Sequence, residues 1–594
     1  MAVHLTLHED TIRAKVYGDN FRENLQQIKS VPGRRYNGDE KLWELPRDFP
    51  TMQRLMLVSQ PTLSPELRAW WDESADENET ALASTLPDDA DVPGVPYADD
   101  LFPHQRAAAA WLADHPHAIE ADDMGLGKTV TAITAAMLRF SAANPGKAPS
   151  ALVVCPNSIT KNWQNELTCG PRKADGSHFE NWVPQDTLII NGKTKKKRAA
   201  QLAEAAAGGK WVIVNWEKLR ILPELAAMDF DIVIADEAHR AKNRKSQQTA
   251  ALWKIKAPIQ YALTGTPIQN EPSELWPLLK WLFPRDYTSY WAFFDMYVES
   301  YEAHFGPRKT KVVVGVRNAE KLRFELANKL IRRLKGDRTP GKWRQYLPVE
   351  MDAKQQKMYT EAEEAMWLDI IKDAETGDTQ ALDLVNNPEK LFLANGAART
   401  TRLRQILSCP ALLGSDADSA KLSAAVDIIR DASQGKQFVV FTEFKGTTEA
   451  LCARLTKAGI TSAALTGDTP TDRTARTPED VRTRQELVDD FQEGLTQVLV
   501  MTRAAGGVGL TLTAASTCIF IERDWVPANN EQAEDRLNRI GQDSRVHVII
   551  LQTCDSLDDG TIQKTNRTKE MIVKSVVAQE EIQNDYTEVE RLRP

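Results

Sequence analysis

Only six of the 594 residues are cysteine (Cys155, Cys169, Cys409, Cys452, Cys518 and Cys554), and no two sit at the close spacing of a zinc or redox pair. That absence excludes a disulfide scaffold and a Cys-based metal knuckle, leaving free and mostly buried thiols. Long apolar runs are missing too, and the opening MAVHLTLHEDTIRAK scatters charges where a secretory leader would carry an unbroken apolar core. A membrane span is not expected, and a cytoplasmic location is. Residues 72–100 lack Lys and Arg altogether while holding ten acidic residues with Pro87, Pro93 and Pro96. Such a stretch reads as a solvated linker, and it accounts for about the whole net charge of −9.

What is present divides the chain into several units, since a chain this long exceeds a single hydrophobic core. Near the N-terminus, alternation at Val3, Leu5, Leu7 and at Ile12, Ala14, Val16 predicts two strands. Phe21, Leu25, Ile28 and Val31 fall at helical spacing, and Asn37-Gly38 marks a turn between two further strands. Beyond the acidic stretch, short apolar runs alternate with helical patterns: ALVVC (151–155), WVIVNW (211–216), DIVIA (231–235), QFVVF (437–441), QVLVM (497–501), CIFIE (518–522) and VHVIIL (546–551). Strands of this kind imply parallel α/β sheets, and the helix-rich interval of about 275–435 separates two of them.

Charge is also uneven. Residues 308–344 carry thirteen Lys and Arg against three acids, and KTKKKR occupies 193–198. The longer block, with Phe324 and Trp343 interleaved, reads as a phosphate-backbone surface. KTKKKR fits that reading and a plain solvated face equally well.

ADDMGLGKT (121–129) nearly spells the phosphate loop G-x-x-x-x-G-K-[ST], with Asp122 in place of the first glycine. Gly125, Leu126, Gly127, Lys128 and Thr129 supply backbone N–H groups, a cation and a hydroxyl. Val130, Ile133, Met137 and Phe140 then continue at helical spacing, so the loop opens a helix whose N-terminus attracts anions. Asp236 and Glu237 follow the run DIVIA directly, where a strand end lets one acid hold magnesium and the other orient water.

Ten segments in order, FPHQ (102–105), DDMGLGKT (122–129), VVCPNSITKNWQNE (153–166), DEAHRAKN (236–243), LTGTPIQN (263–270), LIRRLKGD (330–337), RLRQILSCP (402–410), FTEF (441–444), TRAAGGVGLTLTAAS (502–516) and QAEDRLNRIGQ (532–542), resemble the motifs of the Swi/Snf-like DNA translocases of helicase superfamily two. The resemblance covers about residues 100–575. It implies two tandem RecA-like lobes, parallel sheets flanked by helices, and a phosphate loop that normally begins with an acid. Asp123 and Thr511 depart from the family's usual glutamate and asparagine.

The expected architecture is a small α+β domain at 1–65, an acidic linker at 66–100, lobe one at 101–345 with a basic helical insertion from about 280, lobe two at 346–578 with a helical insertion at about 350–415, and a tail at 579–594. By resemblance, Gln105 reads the adenine edge of ATP and Lys128 takes the β/γ-phosphates. Thr129 and Asp236 hold Mg2+, Glu237 orients water, and Gly509 reaches the nucleotide from lobe two. Arg536 and Arg539, more than 400 residues beyond Lys128, are the arginine fingers. Arg332, Arg333 and Lys335 are expected among the DNA contacts.

The implied partner is DNA, duplex or branched, held mainly through its backbone, with replication or repair proteins as further partners. Residues 28–46 resemble the HARP module of annealing helicases, with Arg34, Arg35, Tyr36 and Trp43 as contacts to phosphate and exposed bases. Tyr36 and Trp43 are equally readable as core residues of a small domain. Two rival functions remain at this stage, a motor subunit of a restriction or defence system and a nucleotide-gated DNA clamp without turnover.

Overall fold

A computed structural model describes residues 3–558 apart from 10, 18–20, 57–60, 74–87, 172, 174–176, 193, 306–307, 337–338, 376–396, 433–434, 471–480, 506–509, 540 and 555. The N-terminal unit is a five-stranded sheet of β1 (Val3–His8), β2 (Thr11–Val16), β3 (Arg35–Asn37), β4 (Leu42–Pro46) and β5 (Pro61–Leu63), ordered β3-β4-β2-β1-β5. Val3, Leu5, Ile12 and Ala14 share its buried face with Ile28 from the helix Phe21–Ser30, as the alternation predicts. The turn after β3 closes on the Asn37 side chain, whose oxygen accepts from the N–H groups of Asp39 and Glu40 (both 3.2 Å).

This unit runs past its expected end at residue 65, because Leu67 is buried in its core and Trp70 and Trp71 pack beside it. Nor do residues 88–100 behave as a solvated linker. Val92 and Tyr97 are buried in the core of lobe one, and the Tyr97 hydroxyl lies 3.3 Å from Thr134 Oγ1. Acidic residues on either side of these anchors pair with cations of the lobe, Asp89 with Arg106 (2.6 Å) and Asp100 with Lys173 (2.7 Å).

Lobe one contains β6 (His117–Glu120), β7 (Ala151–Cys155), β8 (Thr187–Ile189), β9 (Trp211–Asn215), β10 (Ile232–Asp236) and β11 (Ile259–Leu263). A hairpin of β12 (Val298–Phe305) and β13 (Arg308–Val316) follows, and β14 (Leu330–Ile331) closes one edge. The seven-stranded sheet is parallel throughout, in the order β14-β6-β11-β10-β7-β9-β8. Lobe two repeats the plan with β15 (Lys342–Val349), β16 (Phe438–Thr442), β17 (Ser462–Leu465), β18 (Val498–Thr502), β19 (Thr517–Phe520) and β20 (Val546–Thr553), ordered β15-β20-β19-β16-β18-β17. Each sheet is buried on both faces, which is why its strands read as continuous apolar runs.

Two boundaries shift. The basic insertion of lobe one is a hairpin between two short helices, Tyr290–Tyr297 and Ala319–Leu326, and not wholly helical. β15 spans the expected border at 345 and pairs along its whole length with β20, so the chain passes from lobe one to lobe two between β14 and β15. The insertion of lobe two is helical where described, in Ala353–Glu375 and Ala397–Ser408; the tail at 579–594 lies outside the described residues.

Candidate active site

Three neighbouring strands of lobe one end at the same edge of the sheet. β6 leads into the phosphate loop, β10 ends in Asp236, and β11, between them, leads into Thr264. A parallel sheet gathers its ligand-binding groups at this edge.

The loop's sharp turn rests on Gly125 (φ +87°) and Gly127 (φ +86°), and Gly127 caps the helix Lys128–Ala143. A Cβ on Gly127 would meet Gln105 Nε2 at 2.2 Å. Position 122 requires no such freedom, and there the aspartate has a structural task. Asp122 is 2% exposed, its Oδ1 accepts from the Arg333 N–H (2.7 Å), and its Oδ2 lies 3.8 Å from the Arg333 guanidinium. Asp123 accepts in turn from Arg332 Nη2 (3.1 Å) and the Lys335 N–H (3.0 Å). Lys128 Nζ donates to the Asp122 and Asp123 carbonyls (2.7 and 3.2 Å) and stays half-buried in the loop, as does Thr129 one residue on.

Asp236 is fixed by Trp163, whose Nε1 donates to Oδ2 (2.8 Å), and by the Glu237 N–H on Oδ1 (2.8 Å). Burial and the adjacent Glu237 raise its carboxyl to about 6. Glu237 itself adopts a left-handed backbone (φ +50°, ψ +49°), uncommon for a non-glycine residue and typical of functional turns. Burial opposes its ionisation, yet the hydrogen bond and charge of His239, with Lys128 and Arg240, hold its carboxyl below the usual range. His239 Nδ1 sits 3.2 Å from Glu237 Oε2 and 3.2 Å from Thr264 Oγ1, tying the acid to the segment LTGTPIQN. Glu120, fully buried at the end of β6, has neither carboxylate oxygen hydrogen-bonded among the described residues. Burial and Asp122 push its carboxyl well up, against the pull of Lys128 and Arg333.

Lobe two reaches this edge directly. Gln532 Nε2 donates to Glu237 Oε1 (3.4 Å), and a Cβ on Gly125 would meet Arg539 Cγ at 3.0 Å. Arg539 also donates to the Thr511 hydroxyl (3.1 Å), which gives the departure at 511 a role. Arg536 is 4% exposed with Nη1 unpartnered among the described residues; burial and Arg539 lower it to about 9 against the pull of Glu237 and Asp535. Beside it a cavity of about 330 Å³ opens between the lobes, lined among others by Asn157, Arg240, Arg484, Arg503 and Gln532.

The sequence-predicted residues thus separate into groups. Gly125, Leu126, Gly127, Lys128, Thr129, Asp236, Glu237, Arg536 and Arg539 gather around one edge. Gln105 stands beside them and braces the loop, accepting from the Phe102 N–H (3.0 Å) and donating to the Leu126 carbonyl (3.1 Å). Gly509 lies outside the described residues. Arg332, Arg333 and Lys335 are not an open phosphate-binding face: Arg333 and Lys335 are 6% and 7% exposed, and all three face acids of the two lobes. On the N-terminal hairpin Tyr36 is 55% exposed and Trp43 half-buried, directly paired across β3 and β4 with ring centroids 5.0 Å apart. Arg34 and Arg35 are exposed beside them. Trp163, His239, Glu120 and Gln532 escaped the sequence reading, although three of them lie inside motifs it quoted.

The donor set fits a magnesium nucleotide. Among the described residues no cluster of three or more His, Cys, Asp or Glu could cage a metal, and a site of one carboxylate, one hydroxyl and substrate phosphates is the arrangement magnesium favours. Fold and site together define the two-lobed core of helicase superfamily two.

The family is then given by comparison. The SNF2-related domain profile matches residues 104–409, more than half of the chain, and the helicase conserved C-terminal domain matches 420–541; the chain belongs to the SNF2-related family. Similar curated proteins include DNA repair and recombination protein RAD54B of Gallus gallus, 26% identical over 84% of this chain and 57% of that protein. Others are the DNA annealing helicase and endonuclease ZRANB3 of Bos taurus (27%, covering 77% and 39%) and the TATA-binding protein-associated factor MOT1 of Saccharomyces cerevisiae (28%, covering 81% and 28%). The chain therefore spans between about a quarter and somewhat over half of these relatives. Among solved structures it is similar to the Sulfolobus solfataricus SWI2/SNF2 ATPase core in complex with dsDNA, at 22% identity and a TM-score of 0.35, covering 81% of this chain and 97% of that one.

Proposed function

We propose that the protein is an ATP- and Mg2+-dependent translocase on double-stranded DNA, and that it remodels or anneals branched DNA in replication, repair or recombination. The observation that carries the motor reading is the meeting of lobes: Arg539 packs on Gly125 and Gln532 bonds Glu237, so groups far apart in the sequence converge on one cleft. An arginine supplied from a second lobe stabilises phosphoryl transfer only when the cleft is closed, which couples closure to hydrolysis.

When bound, the magnesium nucleotide supplies the phosphoryl group and neutralises charge developing on its oxygens. Lys128 would exchange its loop carbonyls for phosphate oxygens, and Thr129 and Asp236 would hold the metal, with Trp163 fixing the Asp236 carboxylate. Glu237, kept ionised by His239, Lys128 and Arg240, would accept a hydrogen bond from the attacking water. Arg536 brings to the cleft an N–H that is unpartnered among the described residues. Thr264 joins His239 to the segment that follows β11 and so links the acid to the rest of the lobe. The intact acid and arginine pair favours turnover over a non-hydrolysing clamp.

DNA as the track is supported by the family and by the arginine-lined cavity between the lobes, which suits a phosphate backbone. The branched-DNA part rests on the exposed Arg34, Arg35 and Tyr36 of the N-terminal hairpin, and on a relative described as an annealing helicase. That unit sits against lobe one, where Ser289 Oγ donates to the Pro32 carbonyl (3.5 Å) and Thr288 Oγ1 to Asp48 (3.5 Å). Among the described residues, no helix is long and apolar enough to cross a membrane.

The test compares hydrolysis stimulated by duplex, single-stranded and forked DNA for the wild type and for the surface variant Arg35→Ala/Tyr36→Ala. Loss of fork preference with duplex stimulation intact is expected. Unchanged fork preference would remove the HARP-like assignment, and a wild type indifferent to all DNA would remove the motor reading.

A further inference from the structure

The basic block that crosses between the lobes does not lie open to solvent. At its start, Arg332 and Arg333 face Asp123 and Asp122 of the phosphate loop at 3.1 and 3.8 Å, and the backbone runs alongside, Asp123 N–H donating to the Arg333 carbonyl (3.0 Å). At its far end, Lys342 reaches Glu534 (2.8 Å) and Asp535 (3.2 Å), and Arg344 forms a two-pronged pair with Glu534 (2.9 and 2.7 Å). Burial opposes the charge on Glu534, but Arg344 and Lys342 hold its carboxyl well below the usual range.

Lys335 belongs to both ends. Its N–H donates to Asp123 Oδ2 (3.0 Å), while its ammonium donates to the Asn538 carbonyl (2.5 Å) and pairs with Asp535 (2.9 Å). The Asp535 carbonyl in turn accepts from Arg539 Nε (3.1 Å). One residue thereby bonds an acid of the phosphate loop through its backbone and, through its side chain, the residue that precedes each of the two arginines.

We propose that residues 332–335 form a strap that transmits the state of the phosphate loop to Arg536 and Arg539, with Lys335 as the positioning residue. Lys128 bonds the carbonyls of Asp122 and Asp123, the same two residues whose carboxylates the strap holds. A loop that releases Lys128 to phosphate shifts those acids, and Lys335 carries the shift to residues 535 and 538. A surface lysine has no such role, and Lys335 is 7% exposed. Burial lowers its ammonium, against the pull of Asp535, so its charge depends on that partner being in place.

This inference rests on the ATPase reading above, and the two fail differently. The experiment uses the full chain with Lys335→Met, Lys335→Arg and Asp535→Asn, following steady-state hydrolysis, binding of a fluorescent ATP analogue, and duplex DNA affinity as a function of salt. A displacement of the arginines by an ångström is expected to lower kcat by up to ~100-fold. KM for ATP and analogue affinity stay within about twofold, since among the described residues the Lys335 side chain reaches only residues 535 and 538 and its backbone bond to Asp123 survives substitution, and Lys335→Arg recovers most of the rate. Asp535→Asn removes the charge at constant shape and is expected to lower kcat in the same way, which keeps the test valid if Lys335→Met folds poorly. If kcat of the Asn and Met variants stays within about twofold of wild type, the strap has no positioning role. If the salt slope of DNA binding falls by about one, Lys335 is a phosphate contact instead and the proposal is overturned. A wild type without DNA-stimulated hydrolysis removes the parent reading before either outcome is read.

Discussion

Restoring the glycine that a standard phosphate loop carries at position 122 is expected to damage this protein. Asp122→Gly removes a 2% exposed carboxylate that faces the 6% exposed guanidinium of Arg333 and accepts its N–H. Removing one member of a buried ion pair costs about 3–5 kcal/mol. Glu120 lies close enough to feel the Arg333 charge, so the lower end, about 3 kcal/mol, applies here. Glycine adds roughly 0.5–1 kcal/mol of backbone entropy, with no strain to relieve because residue 122 is not left-handed. For a lobe of this size the total corresponds to a fall of about 7–16 °C in the first thermal transition. The assay is differential scanning calorimetry of wild type, Asp122→Gly and Asp122→Asn, with ATPase measured below the transition. Asp122→Asn retains an oxygen for the Arg333 N–H and should fall between the other two. An Asp122→Gly protein as stable and active as wild type would refute the reasoning that the aspartate belongs to this loop.

Two further expectations follow from the site and from the domain seam. Trp163→Phe removes the indole N–H that orients Asp236, and loss of a supporting hydrogen bond of this kind typically weakens metal affinity by about 10–100-fold. The Mg2+ concentration for half-maximal hydrolysis should rise accordingly, and an unchanged magnesium titration would count against Asp236 as the ligand. Asp48, fully buried at the seam, is raised to about 7 by burial, with Glu325 adding to the effect against its hydrogen bonds to Thr51. A carboxyl protonated in the fold and ionised in the unfolded chain makes stability fall as pH rises from about 4 to about 7. Asp48→Asn keeps the helix cap on Thr51 N–H and should flatten that dependence in thermal melts between pH 5 and 8. A wild-type melt that does not weaken across this range would show the seam to be charge-neutral.

The seven apolar runs became strands because both faces of each sheet are covered, so burial leaves an unbroken signature in the sequence. β15 left none: Lys342 and Arg344 occupy it, and both are directed at Glu534, nearly two hundred residues away. The same gap misled the reading of Arg332, Arg333 and Lys335. A run of cations records its own charge and nothing of its partners, and here the partners are Asp122, Asp123 and Asp535. The acidic stretch at 88–100 failed in the converse way, since two apolar anchors among many acids suffice to seat it on lobe one. Gln105 was assigned by motif alone, and only the distances to Phe102 and Leu126 reveal a brace. The local chemistry of the site was legible because a phosphate loop and a strand-end acid pair each require fixed residues at fixed spacing. What supports that chemistry, Trp163, His239 and Gln532, depends on contacts across the fold.

The central claim is that Glu237 from one lobe and Arg536 and Arg539 from the other complete one ATP site, whose hydrolysis depends on DNA. Its most direct test is phosphate release by the full chain with and without duplex DNA, for wild type, Glu237→Gln and Arg536→Ala. Hydrolysis strongly stimulated by duplex in the wild type, and reduced by roughly a thousandfold or more in Arg536→Ala, is the predicted result. Equal hydrolysis with and without DNA, or a Glu237→Gln protein that turns over at the wild-type rate, would contradict it.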